Sequence, residues 1–308
     1  MFLLMVEESG ILKAPTYSRQ RLLLFFLEAA GTAVSKLDLQ KLVFLYHQEH
    51  AADHYAFVPY RYGCYSFLCA DDLDLMEKRG WIEMERNGLK LRREIRNQPW
   101  AKGNPERQQV GRWLNRNPSR GDTLVAETYR RFPYYAIHSK IKERLLNADE
   151  LKRIEAAVPS VDSNARVVYT LGYEGIAFET YLNKLIQNRV EVLCDVRRNP
   201  LSRKFGFSSK TLVSVLPKLG IQYVHFPELG IESEKRKELH TEADYNELFA
   251  EYRIDLPTRT VGLQRLKQVI DANQRVALTC FEAEPHCCHR HCISDLLRDL
   301  HGYRILHL

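Results

Sequence analysis

The chain has 308 residues, 45% of them hydrophobic and 27% charged, and a formal net charge of +6. This is the composition of an ordinary globular protein, long enough for two domains with separate cores. No stretch approaches the roughly 18 uninterrupted apolar residues of a membrane span, and the opening M-F-L-L-M-V is cut off by Glu7 and Glu8 before it forms a signal-peptide core, so a cytoplasmic protein with no membrane partner is expected. The seven cysteines are odd in number and clustered, which predicts reduced thiols rather than a disulfide framework.

In chain order, S-R-Q-R-L-L-L-F-F-L-E-A-A (18–30) has apolar residues at helical spacing and stops at Gly31. A second helix follows in K-L-D-L-Q-K-L-V-F-L-Y-H, with Leu37, Leu39, Leu42, Val43 and Tyr46 as its inward stripe. After the aromatic segment Y-A-F-V-P-Y-R-Y-G comes a third helix around Leu68 to Lys78, and W-I-E-M-E-R-N-G-L-K-L then reads as two short strands joined by Asn87-Gly88. Three helices and a hairpin are the order of a winged helix, a fold that either places a helix in a DNA groove or serves as a protein contact.

The segment from Arg86 to Arg144 carries 15 lysines and arginines against 5 acidic residues, interleaved with Trp100, Trp113, Tyr129, Phe132, Tyr134 and Tyr135. Cations among aromatics suit phosphate neutralisation and base stacking, so DNA or RNA is the expected partner, with Arg92, Arg93 and Arg96 as contacts. The other reading of the same residues is a solvated helix face over a buried aromatic core. From Pro105 to about Val158 the pattern is helical, with breaks at Pro118 and Pro133. The composition of P-S-V-D-S-N-A marks a linker over 159–166, dividing an N-terminal region, 1–158, from a C-terminal domain, 167–308.

The second half alternates strand and helix. The strands lie in V-V-Y-T-L-G, V-E-V-L-C-D-V-R, Q-Y-V-H-F, R-V-A-L-T-C-F-E and Y-R-I-L-H-L, and between them run helical segments, including 241–272. Continuous apolar strands alternating with helices predict a mostly parallel, Rossmann-like α/β sheet covered on both faces. Ligands bind such sheets beyond the carboxyl ends of the strands. Those ends carry Tyr173 and Glu174, Asp195 and Arg197, His225 and Glu228, and Cys280 and Glu282, followed by Cys288-His289-Arg290 at the start of a helix. The loop D-V-R-R-N-P-L-S-R adds Ser202 and Arg203, and its guanidinium groups suit a phosphate or carboxylate. A salt bridge between Asp195 and Arg197 is the structural alternative.

The runs G-Y-E-G, D-V-R-x-x-P-x-S-R-x-x-G-F, G-I-x-Y-x-x-x-P-E-L-G and C-x-E-x-x-P-x-x-C-H-R, in this order over about 167–308, resemble domain-of-unknown-function family 488. Cys287, His291 and Cys292 lie outside those motifs. The stretches L-Q-K-L-V-F-L-Y, F-V-P-Y-R-Y-G and E-K-R-G-W-I in the first half resemble the Panacea group of winged-helix-like domains, which implies a regulatory or nucleic-acid context.

Thiol chemistry and metal binding compete for the cysteine cluster. A cysteine at a helix N-terminus beside a histidine and an arginine has its thiolate favoured, which makes Cys288 the candidate nucleophile. Glu282 or Glu174 would be the general acid/base, Asp195 a further catalytic group, and Tyr173, Arg197, Ser202, Arg203, His289 and Arg290 the substrate contacts. The alternatives are a metal held by Cys280, Cys288, His289 and Cys292, and inert packing of buried cysteines; the residues name no further cofactor and leave that question open. Two functions follow: an enzyme that processes nucleic acid or nucleotides, in a modification, repair or phage-defence context, or a DNA-binding regulator whose C-terminal cleft senses an anion or redox state.

Overall fold

The computed structural model describes residues 14–92, 94–161, 166–232, 234–236 and 241–308. The opening M-F-L-L-M-V, on which the expectation of no signal peptide rests, and Arg93, an expected nucleic-acid contact, lie outside the described residues. Contacts divide the chain into two compact units, Met1–Val158 and Pro159–Leu308. No helix among the described residues is long and apolar enough to cross a membrane.

The N-terminal unit begins with α1 (Ser18–Ala30) and α2 (Lys36–His50). The continuous apolar run Leu22–Leu27 buries α1 on all sides rather than along one stripe. A short antiparallel ribbon, β1 (Val58–Tyr60) with β2 (Gly63–Tyr65), forms from the aromatic segment, where the residue pattern predicts no strands. It is tied to α2 by the buried Lys41, whose Nζ donates to the Cys64 carbonyl at 2.7 Å. Then come α3 (Phe67–Lys78) and the ribbon of β3 (Ile82–Glu85) and β4 (Gly88–Leu91). Glu85 pairs with Gly88, so the turn is Arg86-Asn87, one residue earlier than Asn87-Gly88. Gly88 is held in the ribbon because the backbone of Val34 passes so close that a Cβ would lie 2.3 Å from its carbonyl oxygen.

Helices α4 (Pro105–Arg116), α5 (Gly121–Arg131), α6 (Lys142–Leu145) and α7 (Ala148–Ala156) complete the unit. Trp113 and Tyr129 are buried, and Trp100, Phe132 and Tyr135 pack against the same core as Phe25 and Phe44. Arg107, Arg130, Arg131 and Arg144 pair with Glu28, Glu150, Glu49 and Asp122. Much of the aromatic content of this segment is therefore core, with these arginines in ion pairs outside it. Burying the rings removes far more apolar surface from water than leaving them to solvent.

The C-terminal unit contains β5 (Val167–Gly172), α8 (Phe178–Gln187), β6 (Val192–Asp195), α9 (Ser209–Val215), β7 (Gln222–His225), α10 (Glu242–Asp255), α11 (Thr260–Ala272), β8 (Arg275–Cys280), α12 (Arg290–His301) and β9 (Arg304–His307). The sheet order is β7-β6-β8-β5-β9, and every pairing is parallel. Strands β5, β6 and β8 are buried along their whole length, as central strands under helices must be, whereas β7 and β9 are partly exposed edges. On one face Val192, Cys194, Val276 and Leu278 pack with α10, α11 and α12. On the other, Tyr181 of α8 reaches the sheet and donates to the Thr279 hydroxyl at 2.8 Å. This is the open, parallel α/β sheet of the Rossmann-like class that the strand–helix alternation predicts.

One close approach sets the geometry at the carboxyl ends. Gly172 pairs with Cys280, and the chain leaving β8 folds across the end of β5, where the Phe281 carbonyl accepts from the Tyr173 and Glu174 amides at 3.0 and 2.8 Å. A Cβ on Gly172 would fall 1.8 Å from the Glu282 carbonyl oxygen. Gly172→Ala is therefore expected to displace residues 281–283 and to cost about 1–3 kcal/mol through overpacking against backbone, read as a lower urea midpoint. An unchanged midpoint would show that this crossing yields without strain.

Candidate functional site

The connection from β6 runs outward to β7, while that from the adjacent β8 runs the other way to β9. The two loops therefore part at the carboxyl ends of neighbouring strands and leave a crevice. A cleft of about 310 Å³ lies there. Its wall is built from Tyr173 beyond β5, from Arg197, Arg198, Asn199, Leu201, Ser202 and Arg203 in the loop after β6, from Ile231 beyond β7, and from Cys280, Phe281 and Glu282 at the end of β8.

Asp195, the last residue of β6, is fully buried. Its Oδ1 accepts from the Arg197 amide at 3.1 Å and from Nε at 2.8 Å, and its Oδ2 accepts from Arg197 Nη2 and from the Tyr223 hydroxyl at 2.8 Å. Arg197 Nη1 donates to the Tyr173 hydroxyl at 2.7 Å and to the Phe207 carbonyl at 3.0 Å. Burial opposes the charge on Arg197, but the hydrogen bonds and charge of Asp195 outweigh it and raise the pKa of the guanidinium. Burial and the same carboxylate push the Tyr223 hydroxyl upward, so it stays a donor. Arg197 spends nearly all its donors inside the protein, and the salt bridge, the alternative to anion binding, is what forms. Asp195 likewise serves as the anchor of the wall.

Tyr173 stacks on Phe207, with ring centroids 4.2 Å apart, and Phe281 meets it edge-on at 5.3 Å. Ser202 Oγ accepts from the Lys204 amide at 3.1 Å, and in the same loop Arg198, whose Nη1 donates to the Pro227 carbonyl at 3.2 Å, and Arg203 are exposed at the rim. Arg203 makes no hydrogen bond or ion pair with any described residue.

Behind Cys280 lies a second cluster. Cys280 Sγ is 3.3 Å from Glu282 Oε2 and 3.6 Å from His289 Nδ1, and Cys288 Sγ is 3.9 Å from the same nitrogen. Nε2 of His289 lies 3.0 Å from the carbonyl oxygen of Val196. A carbonyl only accepts, so in the neutral ring Nε2 carries the proton and Nδ1 turns its lone pair to the two sulfurs. The ligand atoms of Cys280, Cys288 and His289 all lie within 4.8 Å of one another, and all three residues are buried. This set has the donor types to hold a soft or borderline metal ion.

Several placements differ from the sequence reading. Cys288 is not in the first turn of α12, which starts at Arg290 with His289 as its N-cap. The Cys288 thiol is buried, and its pKa is pushed well up by loss of water and then by Cys280 and Glu282, against a weaker opposing effect of Arg290. The expected thiolate stabilisation by the helix end is thus overcome by desolvation, and the thiol in the cleft wall is that of Cys280. Cys292 is not in the cluster; its sulfur sits 3.5 Å from His291 Nε2. Arg290 is buried and turns inward to the carbonyls of Glu282 and Ala283, so it braces the loop and does not line the cleft. The Glu174 carboxylate is exposed beside the cleft and accepts from the Ala283 amide at 3.1 Å. His225 and Glu228 also point elsewhere, to the Arg197 carbonyl and to Arg265. Phe281 and Ile231 line the cleft unannounced. Phe281 follows Cys280 at a strand end, and that position is its one signal in the sequence.

Residues 177–297 match the family model described as domain of unknown function DUF488. The match spans α8 to the body of α12 and so takes in the arginine loop and the Cys/His cluster, while Tyr173 and Glu174 precede it. Compared with curated proteins and with solved structures, the chain finds no match.

The buried ion pair makes a direct prediction. Asp195→Asn leaves the Arg197 charge buried without its counter-ion and is expected to cost about 3–5 kcal/mol, whereas the apolar pair Asp195→Leu/Arg197→Met recovers much of the loss. Chemical denaturation of the wild-type protein and the two variants checks it; equal midpoints would mean that Arg197 re-hydrates through the cleft.

Proposed function

We propose that the C-terminal unit is an enzyme that acts on a phosphate-bearing substrate of the nucleotide or nucleic-acid class in the cleft between β6 and β8. The observation that carries this reading is the separation of the cleft into a cationic rim and a reactive floor. At the rim, Arg203 offers a planar fork suited to phosphate oxygens, and Arg198 adds its charge and the donors not used by the Pro227 carbonyl. Phe281, 42% exposed, supplies an apolar face against which a base can stack. At the floor, the Cys280 thiol and the Glu282 carboxylate stand 3.3 Å apart with the His289 imidazole behind them. Recognition of an anion needs the rim alone, so an adjacent thiol, carboxylate and imidazole favour chemistry over sensing. Glu282 is the group placed to give or take a proton, and the Asp195–Arg197–Tyr173 lattice holds the arginine loop in position.

Incubating the full chain with mononucleotides and with single- and double-stranded DNA and RNA oligonucleotides, and reading the products by mass spectrometry, tests this. Glu282→Gln is expected to lower turnover about 10²–10⁴-fold, the range for loss of a general acid/base. Arg203→Glu should act mainly by raising KM. Turnover indifferent to both changes would remove the cleft as the active site, and failure to convert any of these substrates would remove the substrate class.

In the N-terminal unit, three helices precede the β3–β4 ribbon in winged-helix order, and Arg92 and Arg96 are exposed just beyond it. These features support a nucleic-acid contact there. The double change Arg92→Glu/Arg96→Glu is expected to weaken binding of a fluorescent DNA duplex and to reduce the slope of log K against log salt by about 2, one for each phosphate no longer neutralised. An identical slope would show that these arginines are only solvated.

A further inference from the structure

We propose that Cys280, Cys288 and His289 form a three-ligand zinc site at the floor of the cleft, with the fourth coordination position open towards Glu282. The proposal stands on the geometry of the side chains and does not depend on which substrate the cleft takes. Zinc binds thiolate sulfur at about 2.3 Å and imidazole nitrogen at about 2.0–2.1 Å, and a tetrahedral arrangement at those lengths sets the sulfur–nitrogen edge at about 3.6 Å. The two edges here are 3.6 Å, from Cys280 Sγ to His289 Nδ1, and 3.9 Å, from Cys288 Sγ to the same atom. The two sulfurs lie within 4.8 Å of each other, so about 1 Å of closure at most brings the third edge to tetrahedral length around the ion.

The surroundings of His289 point the same way. A metal-bound histidine characteristically donates its other ring N–H to a carboxylate or backbone carbonyl, which fixes the tautomer and the ring plane. His289 Nε2 does this to the carbonyl of Val196, a buried residue directly after β6. Cys280 is fixed independently, as the last paired residue of β8. The set is thus anchored to two central strands of the sheet.

Three protein ligands with one open position are the pattern of catalytic zinc, whereas structural zinc is closed by four. The two other cysteines nearby do not close this one: Cys287 is exposed, and Cys292 lies against His291. Of the three ligands Cys280 lines the cleft, and Glu282 Oε2 stands 3.3 Å from its sulfur, which is the side from which a substrate donor or a water would reach the open position.

The test is metal content and ligand identity. Full-length protein purified without chelator is expected to carry stoichiometric zinc by plasma mass spectrometry. Cys280→Ser, Cys288→Ser and His289→Ala should lose it, while Cys287→Ser and Cys292→Ser keep it. Should the first three variants fail to fold, wild-type protein stripped by chelator and titrated with cobalt(II) decides the matter. Intense visible bands of tetrahedral cobalt with sulfur charge transfer, at one cobalt per chain, support the site. A weak octahedral spectrum, no saturable binding, a requirement for Cys292, or recovery of Cys280 and Cys288 as a disulfide without metal would each overturn it. Turnover of a nucleotide substrate that survives complete metal removal would leave the cleft reading in place and take the metal out of the chemistry.

Discussion

A buried carboxylate at the end of β6 must be neutralised where it stands, and much of the C-terminal unit's binding edge is arranged around how this is done. Asp195 is removed from water and receives Arg197 through three hydrogen bonds, plus the Tyr223 hydroxyl from the neighbouring strand. Arg197 in turn reaches Tyr173 beyond β5 and the Phe207 carbonyl at the far end of its own loop. A pair of charges in a low-dielectric interior is tolerated only when the remaining donors and acceptors are also satisfied, and here they are drawn from three strands. The result is a cross-brace over the carboxyl ends of β5, β6 and β7. It sets the path of the loop that carries Arg198 and Arg203 to the rim.

The same rigidity underlies the floor. Gly172 lets the chain after β8 cross the end of β5, and that crossing brings Glu282 back over Cys280. Arg290 locks the crossing by donating to the Glu282 and Ala283 carbonyls from the base of α12. His289, the residue before it, is thereby aimed at the two sulfurs with its far nitrogen on Val196. The placement of the thiol, carboxylate and imidazole at the floor is a consequence of one short segment, Cys280–Arg290, being held at both ends.

How much of this was legible in the sequence varies with the physical basis of each signal. The parallel sheet follows from apolar strands alternating with helical segments, because a strand covered on both faces must be apolar throughout, as β5 and β8 are. Helix ends such as Gly31 were readable because only a residue tolerant of positive φ suits that position, here φ 65°. The β1–β2 ribbon was not readable. Its three-residue strands carry too little alternation to be told from a loop, and they are held by Lys41, whose burial no local pattern announces. The aromatic, arginine-rich segment leaves two readings open for a similar reason: composition shows that rings and cations are present but not which of them face the core.

Taken alone, the order of residues determined which groups stand at strand ends, since strand length and apolar continuity place Tyr173, Asp195, Cys280 and their neighbours there. What only the tertiary structure decided is the assignment of those groups among wall, rim and floor. The strand order β7-β6-β8-β5-β9 puts β6 beside β8 although a third strand separates them in the chain, and that adjacency opens the crevice and brings Val196 to His289. Burial then sorted similar residues into different roles: Arg197 is consumed by Asp195 while Arg203 stays exposed, and Cys280 faces the cleft while Cys292 does not. The physical reason is that solvation and long-range pairing, not residue type or spacing, determine whether a charged or nucleophilic side chain is available.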